Sequence, residues 1–167
     1  GNVHFVCLDS MTSDRSTGGA MLTWLAADLS ANRQTWTIAF WHHPPYSKGS
    51  HDSDAESQLI EMRQNALPIL ESHGVDLVLS GHSHSYERSY LIGGHYGNSA
   101  SWNASSMLKD GGSGNTGGSG AYLKKGNAAR RAVYAVTGSA GQTGSGPLNH
   151  PAMFISLNRL GSMILDV

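Results

Sequence analysis

With 167 residues, 39% of them hydrophobic, the chain is long enough to form one domain with a real core. A formal charge of −1 and nothing basic longer than the pairs Lys124-Lys125 and Arg130-Arg131 give no electrostatic case for nucleic acid as a partner. The apolar runs fall far below the roughly 20 residues that cross a bilayer, so no membrane partner is expected, and the lone Cys7 allows no intrachain disulfide.

In chain order, residues 3–9 read as a first strand and 10–17 as its polar connection. Residues 20–32 form a predicted helix, with Met21, Leu22, Leu25 and Leu29 on one apolar stripe that Trp24 is expected to widen. A second strand, 35–41, places His42 at its carboxyl end. The loop 44–54 is fixed at its start by Pro44-Pro45 and expected to be mobile around Gly49; it carries His51. The spacing predicts a helix over 55–73 with Leu59, Ile60, Leu67 and Leu70 inward, kinked or restarted at Pro68 and capped by Gly74. The unbroken apolar run Val75-Asp76-Leu77-Val78-Leu79 then reads as a strand covered on both faces.

This alternation implies a parallel sheet with right-handed crossovers. Directly after the third strand comes Gly81-His82-Ser83-His84-Ser85-Tyr86-Glu87-Arg88-Ser89. Ligands bind beyond the carboxyl ends of strands in such sheets. If the backbone stays extended past Gly81, His82 and His84 point to the same side and offer two imidazoles, the commonest protein metal ligand, to one site. A bare His-x-His also reads as a polar loop.

Beyond Ser89 the character changes. Tyr90-Leu91-Ile92 is a short predicted strand, and 93–120 a flexible loop, with six glycines in the stretch from Asp110 to Gly120 inclusive. No helix follows that glycine run, which argues against a phosphate cradle. Asn103-Ala104-Ser105 is a glycosylation sequon, meaningful only in a secreted eukaryotic protein. Residues 132–137 return as a strand, 138–146 as a loop and 162–167 as a closing strand; 133–138 and 163–167 are expected to pair beside the parallel sheet.

The nonapeptide resembles the Gly-His-x-His signature of the calcineurin-like metallophosphoesterases, and its Tyr-Glu-Arg-Ser tail looks like the purple acid phosphatase branch. Phe40-Trp41-His42-His43-Pro44-Pro45-Tyr46-Ser47 is similar to the family's block with another metal-binding histidine. The likeness extends to His150-Pro151-Ala152-Met153. It implies a layered α/β metallophosphoesterase sandwich, of which this chain supplies about one half. It also implies a phosphate ester substrate, hydrolysed at a dinuclear centre of iron with zinc or manganese, or of two divalent ions.

By resemblance, His42 and His82 would bind one metal and His84 the other. His51 matches a substrate-facing histidine able to act as general acid, and His43 is a second candidate for substrate contact or for a place just behind the ligands. Glu87 and Arg88 are expected as a structural ion pair. His4, His73, His95 and His150 lack motif support; Gly1-Asn2-Val3-His4 has its histidine displaced by one residue from the family's Gly-Asn-His motif and is rejected as a ligand site. The sequence holds no Gly-Asp dipeptide and no Gly-Asn-His. Residues 1–167 are therefore expected to be the carboxyl-terminal part of a single catalytic domain, truncated at both ends, with the missing amino-terminal half as partner and a secreted or periplasmic location. The alternative is a non-catalytic metal-binding or structural module.

Overall fold

The computed structural model describes residues 1–115, 120–124 and 130–167. Strands β1 (Val3–Cys7), β2 (Trp36–Trp41) and β3 (Leu77–Ser80) lie parallel and adjacent, with Phe5 beside Ile38 and Ile38 beside Leu77. The crossover from β1 to β2 is α1 (Ala20–Ala31), which buries Leu22, Leu25 and Leu29. Trp24 does not widen that stripe and stays 49% exposed. At about 100° per residue it lies roughly 200° from Leu22, on the opposite side of the helix.

The second crossover runs through α2 (Ser57–Glu61), a π-helical turn (Met62–Ala66) and α3 (Leu67–Ser72). Pro68 explains the irregularity: it has no N–H to donate and its ring crowds the carbonyl four residues back, so the helix widens by one turn instead of stopping. Gly74, at φ 75°, ends the segment in a conformation that costs other residues strain.

The sheet has six strands in the order β1-β2-β3-β7-β4-β8, with β4 (Tyr86–Ser89), β7 (Val133–Thr137) and β8 (Met153–Leu157). Two expectations are corrected here. Strand β7 lies within the sheet, parallel to β3 and antiparallel to β4, rather than in a separate pair. Residues 162–167 form no strand; β8 takes the place beside β4, and Ile164 is 87% exposed. A minor ribbon joins β5 (Leu91–Ile92) to β6 (Leu108–Asp110). Between them, the predicted loop contains a 3₁₀ turn (Ser99–Ser101) and α4 (Ala104–Met107), whose first amides are capped by the side chains of Asn98 and Asn103. Part of the glycine run, 116–119, lies outside the described residues.

The strand register sorts side chains onto two faces. Val6, Ala39, Trp41, Val78 and Tyr134 point to the helices and form the core. Phe5, Trp36 and Phe40 point the other way and are 62%, 45% and 38% exposed. Strand β3 is therefore well covered on one face only, since Leu77 and Leu79 remain half-buried.

Candidate metal centre

Because β2 and β3 are parallel neighbours with Trp41 beside Ser80, their carboxyl ends deliver His42 and His82 to the same rim. A hydrogen bond from the Gly81 amide to the His42 carbonyl, 3.1 Å, ties the two exits together. His42 Nε2 and His82 Nδ1 then face each other at 3.0 Å.

The backbone does not stay extended beyond Gly81. His82 adopts φ 62°, and short bonds from Ser83 N to Gly81 O (2.7 Å) and Ser85 N to Ser83 O (2.8 Å) fold the segment into successive turns. The alternation of sides that an extended strand imposes therefore does not hold across His82 and His84. The His84 backbone bonds Ser50 Oγ and the Gly144 amide, and its ring lies outside the two groups of converging donors described below.

The loop expected to move is pinned. Ser47 Oγ donates to Glu87 Oε1 at 2.5 Å, Ser85 Oγ donates to the same oxygen at 2.9 Å, and Lys48 N donates to Glu87 Oε2 at 3.2 Å. Lys48 Nζ also pairs with Asp52 and Asp54 at 2.6 and 2.9 Å. Glu87 is fully buried in this role and is not the ion-pair partner of Arg88. Successive residues on β4 face opposite ways; Arg88 Nη2 donates to Ser113 O at 2.6 Å and its guanidinium lies 5.8 Å from the rings of Tyr122 and Phe154.

Pinning the loop brings His51 over His82, with ring centroids 3.7 Å apart. Glu56, which no motif had marked, joins them: Oε1 lies 2.8 Å from His51 Nδ1 and Oε2 lies 3.0 Å from His82 Nε2. Its only sequence signal is an acidic residue five places after His51 at a predicted helix start, a pattern found at ordinary helix caps. His43 is buried, its Nδ1 3.0 Å from Ser10 Oγ, with its ring edge-on to those of His42 and His82.

Electrostatics favour ligation. Burial, followed by the charges of His82, His51 and His84, lowers the proton affinity of His42. Burial with His82 and His42 holds His43 down at about 4. Burial works to raise the Glu56 carboxyl, but hydrogen bonds from His82 and His51 outweigh it and leave it below its ordinary range. Near neutral pH His42 and His43 thus offer imidazole lone pairs close to the ionised Glu56 carboxylate, donors suited to zinc, iron or manganese. Two groups, His42-His43-His82 and His51-Glu56-His82, each bring their donor atoms within 4.8 Å of one another. The remaining histidines lie outside both. His4 pairs with Asp28 at 2.6 Å, His73 sits on the exposed end of α3 beside Ser30, and His95 and His150 are buried around Tyr46.

The sequence model of the calcineurin-like phosphoesterase family matches residues 2–86. Purple acid phosphatase 18 of Arabidopsis thaliana is 37% identical over 94 residues, covering 54% of this chain and 20% of that protein. Purple acid phosphatase 15 of the same plant is 36% identical over 97 residues, covering 55% and 17%. The chain thus spans about a fifth of the length of these relatives. Among solved structures, the purple acid phosphatase PPD1 from yellow lupin (Lupinus luteus) seeds superposes with a TM-score of 0.66 at 18% identity, over 96% of this chain and 26% of the other, a likeness of fold.

Proposed function

The chain belongs to the calcineurin-like phosphoesterase family, and on that premise we propose that residues 1–167 are the carboxyl-terminal part of one catalytic domain that hydrolyses phosphate esters at a dinuclear metal centre. The acid phosphatases of the purple type, which its relatives include, are the reading favoured for the whole protein. The observation that carries it is the 3.0 Å approach of His42 Nε2 and His82 Nδ1 at the ends of adjacent parallel strands.

His42 and His82 would hold one ion and His84 the other, with an aspartate and an asparagine supplied from outside residues 1–167. The pair is iron with zinc or manganese, or two divalent ions. When bound, such a pair supplies Lewis acidity, making water a nucleophile near neutral pH and offsetting charge at the phosphoryl group. His51 faces the substrate. With Nδ1–H directed at Glu56, the Nε2–H that the ring carries as imidazolium is left to hydrogen-bond a phosphoryl oxygen or to protonate the leaving alkoxide, help typically worth about 10²–10⁴-fold. His43, buried against Ser10 with its ring edge-on to those of His42 and His82, is the second candidate for substrate contact or stands just behind the ligands. The bare sheet face of Phe5, Trp36 and Phe40 takes the remainder of the domain, and the whole protein is secreted or periplasmic.

Metal analysis and p-nitrophenyl phosphate hydrolysis by the complete protein test this reading. Two ions per chain and metal-dependent turnover are expected. Substituting His42, His82 or His84 with alanine should lose metal together with activity. His51→Ala should keep the metal and lower kcat, most for substrates with poor leaving groups. Metal binding without turnover on any phosphate ester would instead favour the non-catalytic module.

A further inference from the structure

Glu56 makes contacts that the assignment above leaves unused. An ionised carboxylate only accepts hydrogen bonds, so each ring nitrogen facing it must carry the proton. His82 is thereby set as the Nε2–H tautomer, with Nε2 spent on Glu56 at 3.0 Å and the Nδ1 lone pair turned towards His42 Nε2. His51 is set as the Nδ1–H tautomer by the other oxygen of the same carboxylate, at 2.8 Å. Metal-binding histidines commonly give their second N–H to a carboxylate in this way, which fixes the ring and raises its basicity.

Glu56 is itself held. It stands at the N-cap position of α2 with an extended backbone at φ −92° and ψ 127°, its amide donates to Asp52 O at 3.2 Å, and its carbonyl accepts from Ile60 N at 3.0 Å. Asp52 is in turn paired with Lys48, so the carboxylate stands on the same pinned loop as His51.

We propose that Glu56 is a positioning residue that orients His82 and His51 together, so that one carboxylate ties the histidine that holds metal to the histidine that meets substrate. The sequence offered no carboxylate partner for its histidines; the fold supplies one through two hydrogen bonds. The role of His51 in this statement rests on the phosphoesterase reading, whereas the setting of His82 does not.

The test uses the complete protein with Glu56→Ala and Glu56→Gln, read by zinc affinity in competition with a chromophoric chelator and by long-range ¹⁵N NMR of the histidine rings in the metal-free state. Glu56→Ala should weaken zinc binding by about 10–100-fold and release His82 to a mixture of tautomers. Glu56→Gln should fall between it and the parent, because its one carbonyl oxygen can accept from only one of the two rings. His82→Ala sets the scale for loss of a direct ligand. An affinity within twofold of the parent in both variants, or an unchanged His82 tautomer, overturns the proposal. So does a loss in Glu56→Ala as large as that of His82→Ala, which would make Glu56 a ligand. If Glu56→Ala does not fold, Glu56→Gln and the NMR arm decide alone. Absence of phosphatase activity in the parent would defeat the phosphoesterase reading and leave the affinity and tautomer results to judge Glu56.

Discussion

His95 and His150 lie around Tyr46, each with its ring centroid 5.4 Å from that of the tyrosine. Burial, with the Arg63 cation, holds His95 down at about 4; burial, with His95, holds His150 at about 3. Asp54 acts the other way on both, and Arg63 and Lys48 also press on His150. In the unfolded chain both imidazoles titrate near about 6.5. As pH falls through that value the unfolded state takes up protons that the native state refuses, so stability declines and levels off only below the native values. Since one unit corresponds to about 1.36 kcal/mol per group, the pair should cost the fold on the order of a few kcal/mol between pH 7 and pH 4. His95→Phe keeps the stacked ring and removes one titration. Thermal melts should therefore show a smaller fall between pH 7 and pH 4 in that variant than in the parent; an equal fall would mean that His95 is not held neutral.

Among the elements, the turns around the site depend on close approach. A Cβ on Gly49 would come within 2.3 Å of Ser85 Oγ and 2.4 Å of Ser83 Oγ, and Gly49 is two residues from His51. Gly49→Ala should thus push the loop off the His82 turn at a cost of about 1–3 kcal/mol. The effect on kcat should exceed that on metal content, measured side by side in the complete protein, because His42 and His82 ride on the sheet and His51 does not. On α3, the buried Glu71 accepts from Tyr134 Oη at 2.6 Å, Tyr96 Oη at 2.7 Å and Gly94 N at 2.9 Å, tying helix to sheet and to the β5 turn. Glu71→Ala leaves three donors without this acceptor. At about 1–3 kcal/mol for each buried group stranded, it should lower the urea midpoint far more than Tyr134→Phe, which removes one donor and strands none on its own side.

At the scale of the molecule, the sheet is protected by helices on one face and offers Phe5, Trp36 and Phe40 on the other. An apolar patch of this kind drives association when nothing covers it. Residues 1–167 produced alone should bind a hydrophobic dye and self-associate in light scattering, and Phe5→Lys with Phe40→Lys should suppress both. A monodisperse monomer that ignores the dye would show that the tail residues 163–167 already cover the face sufficiently.

What the amino-acid sequence determined by itself was whatever depends on near neighbours along the chain. The leucine stripe of α1, the interruption at Pro68, the cap at Gly74 and the delivery of His42 and His82 at strand ends all follow from periodicity and local backbone preference. Even there, Trp24 was misplaced by counting apolar residues without their angle around the helix. Tertiary structure decided the rest. Strand β7 entered the sheet because β3 and β4 offered it two edges, and β8, rather than residues 162–167, took the last one. The positive φ at His82 broke the extended run towards His84, and Glu56 reached His82, 26 residues on, because Glu87 holds the Ser47 loop against the Gly81 turn. Contacts of that separation are closed by packing and hydrogen bonding between distant segments, and no local pattern of residue types encodes them.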